Sequence, residues 1–381
     1  MHMPPTINRR NWLRLNSFAA FSLGVGLPAL AEKNRNDLPF NTEMPMLNLG
    51  SNENPYGICP AARQAILDTI PVCNRYAFNL PKLQHFKNEM AAYFGVKPEN
   101  ILATPGSTVV LELAALHFAK EKGNIVSPAL TFPTLPMEAK KDGLELINVP
   151  MTHDYGIDLE AMLAAINDQT HIAYVVNPNN PTGTMLRPAA MKEFCLKASA
   201  KTVVVVDEAY IDFVDAPDNE SMVSLAASNP NILIARTFSK IHGMAGLRVG
   251  AAIGHPDLVK QLEQTHFEFS DFSISDLSLA AALASIGDEN HRVQTKKKNA
   301  IARAYTIKML EEMNLHPIPS FTNFVLFPCG DYKGNFAENM LKQNTIVRSV
   351  WHEKQQWGRV SIGTLEEMEK FSKIMKQTWK S

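Results

Sequence analysis

From residue 32 onward the chain alternates short apolar runs with longer stretches whose apolar positions recur at helical spacing. Three runs, HIAYVV (171–176), TVVVVD (202–207) and NILIAR (231–236), are apolar at nearly every internal position. That is the pattern of strands buried on both faces of a sheet. Each is followed at once by polar or glycine-containing sequence. TPGSTVVLELAALHF (104–118) predicts a loop opening into an amphipathic helix, residues 291–313 a long helix with basic residues, and TNFVLF (322–327) a further strand. The alternation predicts an α/β fold with a largely parallel sheet, in which ligands bind beyond the carboxyl ends of the strands.

The N-terminus departs from this pattern. Arg9 and Arg10 precede Asn11, Trp12 and Leu13, a mildly apolar stretch follows from Leu15 to Leu30, and Ala29-Leu30-Ala31 forms a small-residue site. These features predict a twin-arginine export signal cut after Ala31, with a periplasmic protein as its consequence. The alternative is a helical arm packed on a partner subunit of a cytoplasmic protein. Glycines and a proline interrupt the stretch, which is too short for a membrane span. With 1–31 set aside as signal, 32–70 is expected to form an N-terminal arm and part of a small domain. Residues 71–275 then form a large domain, and 276–381 the C-terminal part of the small one.

Composition narrows the chemistry. The chain has 381 residues, 45% hydrophobic and 20% charged, with a net charge of −1. No global field draws nucleic acid or an anionic membrane, so small-molecule chemistry is expected. Cys59, Cys73, Cys195 and Cys329 show no C-x-x-C pairing and no histidine at metal-ligand spacing. They are expected to be packing residues, with a Cys59–Cys73 disulfide open in an oxidising compartment.

Chemistry-bearing residues fall at the ends of the three apolar runs. NPNNPTG (177–183) follows the first, Asp207 ends the second, and RTFSK places Lys240 after the third. An aspartate at the end of a buried strand needs a cationic partner, because an isolated buried charge is too costly. A lysine nearby can form a Schiff base with a carbonyl cofactor. Pyridoxal phosphate carries both the aldehyde that lysine takes and the ring nitrogen that aspartate takes. Its phosphate needs a cradle, and Gly106, Ser107 and Thr108 stand where the loop opens the 104–118 helix, whose free N–H groups favour an anion. Thr237, Ser239 and Arg248 add hydroxyls and a fixed cation.

With these residues in place, the sequence resembles the fold-type I pyridoxal-phosphate aminotransferases of class I/II, and within them the histidinol-phosphate aminotransferase group. The resemblance is carried by NENPYG (52–57), NRYAF (74–78), NPNNPTG (177–183), VVDEAYIDF (205–213), RTFSKIHGMAGLRVG (236–250), TNFVLF (322–327), IVR (346–348) and GRVSIGT (358–364). It implies a large domain with a mostly parallel central sheet and helices on both faces, plus a smaller α+β domain built from both chain ends. Lys240 would hold the cofactor aldehyde and move protons, and Asp207 would face the pyridine nitrogen. Asn180 and Tyr210 would bond the phenolic oxygen, and Phe132 would stack on the ring. Gly106, Ser107, Thr108, Thr237, Ser239 and Arg248 would hold the phosphate. Tyr76 would reach the neighbouring subunit's phosphate, which implies a homodimer with shared sites. Arg359 would grip the anionic group of the amino donor, with Tyr56, Arg348 and Asn180 nearby, and a 2-oxo acid would accept the amino group.

The chain departs from the group's pattern at Thr108 and Val109, where an acidic pair commonly follows the serine, at ALTFPTLP (129–136), where Phe132 stands in place of a tyrosine-rich turn, and at Ala251, where a tyrosine is frequent. His242 is expected to be structural. The donor therefore stays open between histidinol phosphate and another amino acid. A racemase or β-lyase on the same scaffold is the alternative activity, and a cofactor-binding sensor is disfavoured because Lys240, Asp207 and Arg359 are all present.

Overall fold

The computed structural model describes residues 46–75, 80–119, 121–266 and 273–379. The expected signal segment and Tyr76 lie outside the described residues.

A seven-stranded sheet forms the centre. In spatial order its strands are Ile101–Thr104, Gly250–Gly254, Ile232–Thr237, Val203–Asp207, Thr170–Val176, Asn124–Pro128 and Glu145–Val149. The Gly250–Gly254 strand runs antiparallel to both of its neighbours, and the other pairings are parallel. Successive residues of a strand point to opposite faces, and both faces here are covered. Ala173, Val175, Val204, Val206, Ile232 and Ile234 pack on one side with Met90, Phe194 and Ala281 from the helices covering it. Ile172, Tyr174, Val176, Val205 and Leu233 pack on the other with Val110, Leu111, Ala114 and Leu262. This double burial is why HIAYVV and TVVVVD are continuous apolar runs rather than alternating ones.

A second, antiparallel sheet contains Arg348–His352, Gln355–Ser361 and Phe324–Pro328 in that order. The Glu289–Glu312 and Leu365–Thr378 helices close its core through Ala302, Met309, Leu310, Met368, Phe371 and Met375, against Val325, Phe327 and Val360. A capping box fixes the start of the last helix: Thr364 accepts from the Glu367 N–H, and the Glu367 carboxylate accepts from the Thr364 N–H. That reciprocal pair satisfies two donors left over by helix geometry.

All four cysteines are unpaired. Cys59, Cys195 and Cys329 are buried, as packing residues should be, but Cys73 is exposed, which corrects the expectation for that position. Cys59 Sγ caps the Pro60–Thr69 helix by accepting from the Ala62 N–H at 3.3 Å, a local role that holds its thiol inside.

Candidate active site

The site is assembled at the carboxyl ends of three adjacent parallel strands. Asp207 closes the Val203–Asp207 strand and is 3% exposed. Its Oδ1 accepts from the Ala209 N–H at 3.0 Å, and among the described residues no cation forms an ion pair with it. Burial pushes its carboxyl up to about 7, with Glu208 adding to the rise, while the Ala209 N–H and the Lys240 charge oppose it. A carboxylate in this position is destabilised until a positive partner arrives.

Lys240 lies three residues past the Ile232–Thr237 strand and is partly buried. Its Nζ donates to the Asn52 carbonyl at 3.1 Å and stands 5.4 Å from the centre of the Tyr210 ring. The Tyr210 hydroxyl accepts from Asn52 Nδ2 at 3.0 Å and from Asn180 Nδ2 at 3.5 Å. Asn180 Oδ1 in turn accepts from Arg359 at 2.7 Å. A single chain of hydrogen bonds thus runs from the lysine through two asparagines and a tyrosine to the arginine.

At the other end, Gly106 is the N-cap of the Ser107–Phe118 helix, with φ at 90° and no side-chain cap on the first N–H groups. Glycine is required at that φ. It also gives close approach, because a Cβ there would lie 2.5 Å from the Arg248 guanidinium. Gly250 does the same from the neighbouring strand, where a Cβ would lie 2.7 Å from the Ser107 nitrogen. Thr237 Oγ1 and Ser239 Oγ are 2.9 Å apart, and Arg248 reaches Ser239 Oγ at 3.4 Å. Uncapped helix donors, two hydroxyls and a guanidinium converge as an anion cradle. Thr108 lies in the first turn of the same helix, and Phe132 is partly buried beside the sheet face that carries Asp207.

The two arginines expected to face the donor's anionic group come from the second sheet, where Arg348 and Arg359 are register partners. Arg348 donates to the Gly50 carbonyl at 3.1 Å, as does Arg359. Arg359 Nε is buried and has no partner among the described residues. Burial first, and then Arg348, hold the Arg359 guanidinium below its usual range, so an incoming anion would be welcomed there. Tyr56 is partly buried, with Lys298 over its ring at 4.9 Å, and burial and Glu367 raise its hydroxyl above the usual value.

Asn52, at φ 53°, is a residue that the motif reading quoted without a role. It ties Lys240, Tyr210 and Ser361 together. Its left-handed backbone, which asparagine tolerates better than most residues, turns both of its amide ends inward. Glu208 and Arg236 were also missed. Arg236 donates to Glu208 at 3.0 Å and to Asp212 at 2.8 Å, and Glu208 further accepts from Ser221 and the Met222 N–H. His242 is buried, bonds Ser285 at 2.7 Å, and burial holds it well below its usual value, which suits the structural role expected of it.

A family profile, Aminotransferase class I and II, matches residues 44–374. The chain belongs to the class I and II aminotransferases. A histidinol-phosphate aminotransferase 2 of Ralstonia nicotianae is 36% identical over 84% of this chain and 86% of its own length. One of the same name from Nitrosospira multiformis is 34% identical over 87% of this chain and 84% of its own length. The crystal structure of histidinol-phosphate aminotransferase from Sinorhizobium meliloti in complex with pyridoxal-5'-phosphate superimposes with a TM-score of 0.81. It is 25% identical, and the match covers 87% of this chain and 90% of that one. The fold-type I architecture expected from the sequence is therefore established, and the residues present fit the cofactor. The buried, unpaired Asp207 suits a protonated ring nitrogen, and the Gly106–Gly250 cradle suits a phosphate.

Proposed function

We propose that this aminotransferase moves an amino group from a donor carrying an anionic group to a 2-oxo acid, using pyridoxal phosphate, with histidinol phosphate or another amino acid as the donor. The observation that carries the reading is the hydrogen-bond chain from Lys240 through Asn52, Tyr210 and Asn180 to Arg359. It joins a proton-carrying amine to an anion-binding guanidinium across one site.

Bound pyridoxal phosphate supplies an electron sink for the carbon that bears the amine. Asp207 would hold the ring nitrogen, and Ser107, Thr108, Thr237, Ser239 and Arg248 the phosphate. Lys240 would take the proton from the donor Cα, its Nζ held on the Asn52 carbonyl and steered by Tyr210. Arg359 would orient the donor, since its free Nε edge leaves a donor available to an oxyanion.

Lys240→Ala is expected to abolish both the visible absorption of the lysine-bound cofactor and transamination; a variant that keeps both would refute the assignment. A half-reaction screen of histidinol phosphate against a panel of amino acids then names the donor, while turnover without any 2-oxo acid would favour a racemase or lyase. We further propose a homodimer in which Tyr76 contributes to the neighbouring site, and export through Arg9 and Arg10. Sedimentation tests the first. Fractionation of cells expressing the Arg9→Lys, Arg10→Lys double variant tests the second, and an unmoved compartment would remove it.

A further inference from the structure

The Tyr174 hydroxyl is a fully buried polar group near the site that the mechanism does not use. Its side chain is fully buried, and its oxygen has no hydrogen-bond partner among the described residues. A buried hydroxyl left this way is a standing cost, so its retention calls for a reason.

Register supplies one. Tyr174 pairs with Val205 and Val176 with Asp207 across the adjacent strands, so Tyr174 and Asp207 lie on the same sheet face as diagonal neighbours. Such neighbours are about 7–8 Å apart at the backbone, within reach of a long aromatic side chain. The helix over this face offers apolar Val110, Leu111 and Ala114. The titratable groups that act on the hydroxyl are Asp207 and Tyr210, and burial together with their negative charge holds it well above its usual value. Asp207 itself feels Lys240 and Glu208. The hydroxyl is thus a neutral donor in an apolar wall, beside a carboxylate whose one backbone donor, from Ala209, reaches only Oδ1.

We propose that Tyr174 is a positioning residue for Asp207, donating through one internal water to the carboxylate that would face the cofactor ring nitrogen. The inference rests on the pyridoxal-phosphate reading of the site. A bridging water needs two or more polar partners, and the hydroxyl and the carboxylate provide them. A donor of this kind favours the charged form of Asp207, and with it the protonated ring.

The test uses the holoenzyme and Tyr174→Phe, which removes one oxygen and leaves the ring packing intact. Cofactor affinity is measured by absorption titration across neutral pH. Loss of the donor is expected to move the pH midpoint of binding up by about one unit, seen at neutral pH as about tenfold weaker cofactor binding. In an Asp207→Asn background the same substitution should change affinity less than twofold. A variant that melts higher than the parent but binds cofactor with an unmoved midpoint would overturn the proposal, because that is the signature of a merely unsatisfied hydroxyl. Failure of the parent protein to bind cofactor would instead bring down the cofactor reading itself, and this inference with it.

Discussion

Replacing Asp207 by asparagine should stabilise the cofactor-free protein, and only above a certain pH. The carboxyl is moved from 3.8 to about 7, chiefly by burial. Because the folded value lies above the unfolded one, the folded chain holds an extra proton between those two pH values. The contribution of Asp207 to stability is therefore fully present below about pH 4 and is lost as pH rises to about 7. A displacement of about three units at about 1.4 kcal/mol each amounts to about 4 kcal/mol. Asparagine keeps the oxygen that accepts from the Ala209 N–H and does not ionise. Exposed carboxylates such as Asp154, Glu193 and Glu366, held below their usual values, titrate alike in parent and variant and cancel in the difference. Urea unfolding of the cofactor-stripped proteins at about pH 4 and about pH 8 measures that difference. The expected result is near equality at the lower pH and a more stable variant at the higher one, by an amount approaching about 4 kcal/mol. A difference that is the same at both pH values would refute the argument. The gain in stability should be accompanied by a loss of cofactor affinity, the usual opposition between a functional site and a stable one.

Three further substitutions probe separate parts of the site. Gly250→Ala sets a Cβ 2.6 Å from the Gly106 carbonyl carbon and 2.7 Å from the Ser107 nitrogen, both backbone atoms that cannot swing aside. It should cost about 1–3 kcal/mol in unfolding experiments and weaken phosphate binding to the stripped protein. Arg236→Met leaves Glu208 and Asp212 without their cation in a buried setting, so a loss of about 3–5 kcal/mol is expected in the same assay, and a neutral result would contradict the ion-pair network. Arg359→Lys keeps the charge but lacks the planar fork that reaches both Asn180 and Gly50. It should raise KM for the anionic donor about tenfold or more with little change in melting temperature, and an unchanged KM would place the donor elsewhere.

The strands that carry the site were legible because they are buried on both faces. Four consecutive valines before Asp207 admit few other readings, and the structure has a strand at 203–207. The Ser107–Phe118 helix was equally legible, since Gly106 marks where the backbone must turn to expose its N–H groups. What escaped the sequence depends on distant partners. Asn52 meets Ser361 and Asn323 from the far end of the chain, and nothing in NENPYG says that its backbone carbonyl will accept from Lys240 while its side-chain amide donates to Tyr210. Glu208 and Arg236 each sit next to a quoted site residue, yet their pairing depends on the register between two strands. Tyr174 looked like one more apolar position in HIAYVV, because strand periodicity reports the face a side chain takes and not the charge of its diagonal neighbour.

Two buried charges on adjacent strands show how this fold separates structure from chemistry. Arg236 has two carboxylates, Glu208 and Asp212, and Glu208 is itself held by Ser221 and the Met222 N–H. Asp212 belongs to the short turn that follows Tyr210, so this one guanidinium fixes the end of the Asp207 strand, the Tyr210 turn and the strand leading to Lys240. Asp207, buried to a similar degree, is given a single backbone donor and no counter-ion among the described residues. A chain selected only for stability would pair both charges or remove them, since an uncompensated buried charge is the costlier state. Arg236 is compensated from within the chain. On the reading proposed above, the compensation for Asp207 would come from the ring nitrogen of pyridoxal phosphate, so the same burial that fixes the frame would reserve binding energy for the cofactor.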